Sequence, residues 1–165
     1  MSVYQVLTDI FHCIGLFAMA ICSFISFLLL IIALASDYWV GDFGNHESLW
    51  KQCLGDQCTT FGMKVEGYIH VTRVFMLVGM IFGASLLVGF CATCFSSHIG
   101  SHSLIRVATI SNFSAGLCVL IAMATFTGVR GTRVSYGWSF RLGWASFPLF
   151  MITGLFAYKL QPETE

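Results

Sequence analysis

The chain has 165 residues, of which 57% are hydrophobic and only 10% are charged. A soluble domain carries about 25% charged residues, so this chain could not cover a water-facing surface. Its 8 basic and 8 acidic residues cancel, which gives no reason to expect a nucleic-acid partner or a general attraction to anionic lipid. The composition therefore predicts an integral membrane protein whose main partner is the lipid bilayer.

Charged residues divide the chain into apolar segments. Segments free of Asp, Glu, Lys and Arg lie between Asp9 and Asp37, Arg73 and Arg106, Arg106 and Arg130, and Arg141 and Lys159. A helix needs roughly 17–25 apolar residues to cross the hydrocarbon, and a charge at its centre costs about 2.5–3.5 kcal/mol. We predict transmembrane helices near residues 12–36, 72–95, 104–128 and 138–159, in an all-α membrane fold.

The start of the chain allows one alternative. Ala33-Leu34-Ala35 has the form of a signal-peptidase site at the end of the first apolar run. However, the leader carries Asp9 and no Lys or Arg, and the run is longer than the ~7–15 residues of a signal h-region. We expect this run to remain as the first membrane helix.

Four spans place both termini on one side of the membrane. The other side then carries a long loop at about residues 37–71 and a short loop at about 129–137. No linker or repeat separates a second domain, so residues 1–165 are predicted to form a single tetraspan domain. Short connections favour antiparallel packing of neighbouring helices in a four-helix bundle.

Small residues in the second span predict close helix packing. Gly79 and Gly83 form a G-x-x-x-G pattern, which lets helix backbones approach closely where lipid offers no hydrophobic driving force. Packing inside the bundle is the favoured interpretation, and a dimer face is the alternative.

The long loop is predicted to contain three short β-strands, at Tyr38–Val40, Leu49–Cys53 and Cys58–Phe61, because aromatic and β-branched residues occur there between Gly and Asp residues. Between Cys53 and Cys58, Leu-Gly-Asp-Gln has the length of a hairpin loop. A bridge closing so small a ring would stabilise the loop by about 2 kcal/mol. A disulfide is favoured over free thiols and over a metal site, since His46 and His70 lack ligand-like spacing. We therefore predict no metal site.

Two further cysteines, Cys91 and Cys94, lie at the predicted end of the second helix in the sequence CATC. Their juxtamembrane position makes them candidates for S-palmitoylation, with plain packing as the alternative. No Ser-His-Asp set, carboxylate pair or phosphate-binding Gly loop occurs, so we predict no catalytic residues and no cofactor. Asp37, Glu66 and Arg73 are interpreted as interfacial ion-pair partners.

The loop pattern resembles the tetraspan superfamily of claudins, peripheral myelin protein, epithelial membrane proteins and lens fibre intrinsic membrane protein. Its members share a Trp, then Gly-Leu-Trp, then paired cysteines in the first extracellular loop. The matching residues here are Trp39, Leu49, Trp50, Cys53 and Cys58. LWKQCLGDQC is similar to the lens fibre branch. GYIHVTRVF and GWSFRLGWAS, at residues 67–75 and 137–146, are similar to the natural killer cell granule branch.

This resemblance implies cytoplasmic termini, an oxidised Cys53–Cys58 pair, and a small extracellular β-sheet on the four-helix bundle. It also implies that Trp39 and Trp50 anchor the sheet at the membrane face, a position that suits the amphipathic indole ring. The chain departs from the claudins in its shorter loop and in its Glu-Thr-Glu end, which lacks the apolar last residue of a PDZ ligand. Claudin-type sealing strands are therefore not expected.

The distribution of positive charge disagrees with the implied orientation. Basic residues on the proposed outer side are Lys51, Lys64, Arg73, Arg130, Arg133 and Arg141, against Arg106 and Lys159 inside. The positive-inside rule applied to these residues would invert the protein. The family topology is preferred, because a cysteine pair in a hairpin suits the oxidising side of the membrane.

Three functions follow from these expectations. The first is a non-enzymatic plasma-membrane protein that self-associates and organises cell junctions or membrane architecture, with a partner in the same or an apposed membrane. The second is a membrane protein of secretory or cytotoxic granules acting in regulated exocytosis. A channel or transporter is the least favoured, because no predicted span has an ionisable residue near its middle.

Overall fold

The computed structural model describes residues 2–42, 44–95 and 101–161. Its elements in chain order are α1 (Val3–Ala35), β1 (Val40–Asp42), β2 (Asn45–Glu47), β3 (Lys51–Leu54), β4 (Gln57–Thr60), α2 (Gly67–Phe95), α3 (Ser101–Arg130) and α4 (Trp138–Lys159). Within these residues, 4 helices are long and apolar enough to cross a membrane. The predicted fold class, four spans with a small sheet in the first loop, is confirmed.

Two helices begin at least five residues earlier than the charge pattern indicates. The first starts at Val3 rather than near residue 12, and α2 starts at Gly67 rather than near residue 72. The extension of α1 carries the helix past the exposed Asp9, whereas the extension of α2, residues 67–71, contains no charged residue. The charge-free segments thus mark the apolar part of each helix, whereas the helix itself continues as long as its backbone hydrogen bonds do.

The helices form a bundle in which α1 contacts α2 and α4, and α3 contacts α2 and α4. The main core cluster reaches from Leu30 in α1 and Met76 in α2 to Phe126 in α3 and Phe150 in α4. It extends to Trp39 and Leu49 of the first loop, so the loop and the helices share one core. We call the end of the bundle that carries the loop the sheet end.

Gly79 and Gly83 contact different helices of the same chain. A Cβ atom on Gly79 would lie 3.4 Å from the Ala115 carbonyl oxygen of α3. On Gly83 it would lie 2.8 Å from Cδ2 of Phe27 in α1. Both faces are thus occupied inside the bundle. This corrects the alternative of a dimer face at these glycines, because the surface that a second copy would need is already covered.

Replacing both Gly79 and Gly83 with leucine should lower the melting temperature of the detergent-solubilised protein without changing its size. Side chains forced into a packed interior cost about 1–3 kcal/mol each. The matched control is Gly128→Leu in α3, because Gly128 faces open space and has no atom within 4 Å of its Cβ position. If the double variant instead forms a smaller particle than the wild type and keeps its melting temperature, Gly79 and Gly83 form a dimer face.

The sheet is antiparallel with the order β1-β2-β3-β4. Three of its strands lie close to the predicted segments, but β2 (Asn45–Glu47) was not predicted. Its three residues are polar and carry no strand signal, so the strand forms through pairing with β1 and β3 on either side. The second loop joins the sheet through the Gly41 N–H, which donates to the Ser135 carbonyl at 3.0 Å.

Candidate functional site

The two tryptophans of the first loop close the C-terminal end of α1. The indole Nε1 of Trp39 donates to the Ala33 carbonyl at 2.7 Å, and that of Trp50 donates to the Leu34 carbonyl at 2.8 Å. The last carbonyls of a helix have no partner within the helix and are costly to bury unpaired. Both motif tryptophans therefore satisfy helix-end carbonyls from outside the helix.

Trp39 also packs into the core at the sheet end of the bundle. Its side chain is fully buried, and its ring makes edge contacts with Phe126 of α3 and Phe140 of α4 at centroid distances of 5.0 and 6.0 Å. Leu49 is equally buried in the same cluster. The loop therefore packs on α3 and α4 through Trp39, and it shares one apolar cluster with residues of all four helices.

Arg73 of α2 connects the Leu49-Trp50 segment to the helix bundle. Its Nε donates to the Leu49 carbonyl at 2.8 Å, and its Nη2 donates to the same oxygen. The guanidinium carbon lies 4.8 Å from the centre of the Trp50 ring, a cation–π arrangement. The interfacial ion pair predicted for Asp37 is present, with Lys51 as its partner at 2.8 Å, whereas Arg73 binds the Leu49 carbonyl instead of a carboxylate.

A second arginine links the sheet to α3. Arg130 forms an ion pair with Glu47 of β2, and its Nε donates to the Tyr68 hydroxyl at 2.8 Å. Both charged side chains are largely shielded from solvent. The sequence offered no signal for this pair, because its members are far apart along the chain and their approach depends on the position of β2.

Cys53 and Cys58 form a disulfide between β3 and β4, at positions directly opposite each other. The buried member is Cys53, whereas Cys58 lies on the exposed strand β4. The bridge therefore fastens the edge strand to the part of the sheet that rests on the bundle.

The remaining candidates lie at the other end of the bundle. Cys91 is an exposed free thiol on α2, which is the accessibility that S-palmitoylation would require, and its modification stays a prediction. The side chain of Cys94, residues 96–100 and the tail from residue 162 lie outside the described residues.

Comparison with known proteins agrees with this architecture. Residues 12–157 match the model of the PMP-22/EMP/MP20/Claudin family. Protein NKG7 from Mus musculus is 35% identical over 138 residues, covering 75% of this chain and 78% of that protein. Lens fiber membrane intrinsic protein from Rattus norvegicus is 32% identical over 155 residues, covering 84% and 88%. Claudin domain-containing protein 2 from Mus musculus is 24% identical over 137 residues, covering 80% and 78%.

The family match covers most of the chain, and it includes the loop whose tryptophans, cysteines and leucine occupy the structural positions described above. The chain belongs to the PMP-22/EMP/MP20/Claudin family of four-span membrane proteins.

Proposed function

We propose that the protein is a non-enzymatic membrane organiser whose sheet makes contacts in the same or an apposed membrane. The proposal rests on the way in which the sheet is attached to the helices. Trp39, Trp50 and Arg73 connect it to the helices by hydrogen bonds, of which those of Trp39 and Arg73 are buried and that of Trp50 is partly buried. A rigidly held sheet loses little conformational entropy when it binds a partner, which favours recognition by this surface.

The surface best suited to such a contact is the edge of β4. This strand ends the sheet, and all four of its residues are exposed. An exposed edge offers N–H and C=O groups to a strand from another molecule. Self-association would then occur through two β4 edges rather than through Gly79 and Gly83.

The proposed orientation places the sheet outside the cell and both termini in the cytoplasm. Three of the basic residues that argue against it have structural partners at the sheet end. Arg73 binds a carbonyl, Arg130 pairs with Glu47, and Lys51 pairs with Asp37. Their positions are explained by these contacts, so they say little about orientation. A disulfide also suits the oxidising side of a membrane.

An epitope inserted between Gly62 and Met63 tests the location. This site lies between β4 and α2, Gly62 faces open space and Met63 is 89% exposed, so an insertion should leave the sheet intact. Antibody staining of live cells, concentrated where two expressing cells meet, is the expected result. Staining only after selective permeabilisation of the plasma membrane, which exposes the cytoplasmic side alone, would show that the orientation is inverted.

Proline at Thr60 tests the edge contact. The N–H of Phe61 donates to the Trp50 carbonyl within the sheet, so the N–H of the preceding residue, Thr60, points away from β3. Thr60→Pro removes this outward N–H and leaves the hydrogen bonds between β3 and β4 in place. Proline is tolerated at such a position, where the backbone nitrogen of an edge strand faces away from the sheet. Enrichment at contacts between cells carrying differently coloured copies should fall for Thr60→Pro and persist for Thr60→Ala.

Equal enrichment for Thr60→Pro and wild type would show that another surface makes the contact. No enrichment of the wild type at contacts would contradict the junctional function itself.

A granule membrane is the second candidate location, favoured by the 35% identity to Protein NKG7. It predicts that the epitope is stained on intracellular vesicles and only after all membranes are permeabilised, with Cys53–Cys58 still oxidised. Live-cell staining at contacts would contradict it.

A further inference from the structure

The sheet places one imidazole beside the two sulfurs of the disulfide. His46 on β2 lies directly opposite Cys53 on β3, which in turn lies directly opposite Cys58 on β4. Directly opposed residues of neighbouring strands project from the same face of a sheet. The ring nitrogen of His46 and both Sγ atoms accordingly lie within 4.8 Å of one another.

This row is held by contacts that do not depend on the S–S bond. The β3–β4 hairpin keeps its backbone pairing from Lys51↔Thr60 to Leu54↔Gln57, and the turn between them has Gly55 at a φ of 60°, a conformation that suits glycine. The ring of His46 stacks on Tyr38 with centroids 4.5 Å apart. Reducing the disulfide would therefore leave two thiols and an imidazole already gathered on one face.

We propose that the reduced form of this row is a binding site for a thiophilic cation such as Zn²⁺. Zinc binds Cys sulfur at about 2.3 Å and His nitrogen at about 2.0–2.1 Å, so ligand atoms this close can reach one ion after small side-chain rotations. Cys53, Cys58 and neutral His46 supply three ligands. Because Cys58 lies on the exposed strand, water fills the fourth position.

The two states of the cysteine pair exclude each other. Metal ions bind the thiolate form of cysteine. In the oxidised state the two sulfurs are bonded to each other, so neither is a thiolate. A dithiol or phosphine reductant supplies the two electrons that break the S–S bond and yields two thiols. Binding of the cation then releases the two thiol protons. The site is thus gated by the redox state of the disulfide.

The test uses purified full-length protein in detergent, reduced with a phosphine that is then removed under anaerobic conditions, with Co²⁺ as the probe. Cobalt bound by thiolates gives an intense sulfur-to-metal absorption band. We expect the reduced protein to bind one more equivalent of Co²⁺ than the Cys53→Ser, Cys58→Ser double variant, and Zn²⁺ to displace it. The oxidised protein should show no such band from this site.

Two histidine variants distinguish a site with three protein ligands from a pair of thiols that binds the metal without histidine. His46→Ala should weaken Co²⁺ binding at least tenfold. The matched control is His70→Ala, because His70 lies on the same side of the membrane but bonds the Met63 carbonyl at 3.0 Å, away from the disulfide.

Three results would overturn the proposal. They are no excess of bound cobalt over the double variant, equal affinity of His46→Ala and wild type, and loss of the cooperative melting transition on reduction. The last result would remove the preformed row on which the proposal rests. None of these results bears on the contact function of the β4 edge in the oxidised protein.

Discussion

Replacing Arg73 with methionine should lower the melting temperature of the detergent-solubilised protein by about 5–10 °C. Hydrogen bonds from a charged donor contribute about 1.5–3 kcal/mol, and a shielded cation–π contact contributes up to about 2 kcal/mol. For a protein of this size, 1 kcal/mol corresponds to roughly 2–4 °C. The change removes both donors to the Leu49 carbonyl and leaves that oxygen buried without its partner.

Two further variants give this experiment its controls. Arg141→Met removes the same side chain from an exposed position at the start of α4, where little change is expected. Arg73→Lys keeps the charge but lacks the planar guanidinium that directs two donors at one oxygen, so an intermediate melting temperature is expected. If Arg73→Met melts with the wild type, the Leu49 carbonyl has another partner and Arg73 does not hold the loop.

Replacing Gly137 with alanine should prevent normal folding or cost about 3 kcal/mol or more, beyond the usual effect of one added methyl group. Gly137 has a φ of −77°, which any residue can adopt, so its backbone conformation does not require glycine. Glycine is required at this position because there is no room for a side chain. A Cβ atom there would overlap the Tyr38 carbonyl, while the Gly137 N–H donates to the Trp39 carbonyl at 2.9 Å.

The overlap involves backbone atoms that cannot rotate away, and relieving it would separate α4 from the loop that carries Trp39. The melting temperature and the yield of folded protein in detergent are the measurements. Gly128→Ala is the matched control, since Gly128 lies in α3 with open space around its Cβ position. That control should be neutral or more stable by up to about 1 kcal/mol, because alanine favours a helix over glycine. Wild-type stability of Gly137→Ala would show that the two backbones can move apart at little cost.

The sequence alone predicted the four spans and the motif in the first loop. The spans follow from transfer energies that add residue by residue, so Arg106 and Lys159 mark span ends regardless of what they contact. The loop motif was recognised because Trp39, Trp50 and the cysteines occur in a specific order along the chain. Neither prediction required knowledge of which distant residues meet.

Only the tertiary structure decided the contacts that connect the loop to the bundle. A polar segment became β2 through pairing with its neighbours, and this placed His46 beside Cys53 and Glu47 beside Arg130. Likewise, Arg73 binds a carbonyl rather than a carboxylate, although it was interpreted as an interfacial ion-pair partner. Such contacts depend on strand register and helix position, and most of them join residues far apart in sequence. Those quantities result from the packing of the whole chain, so no local pattern of residues records them.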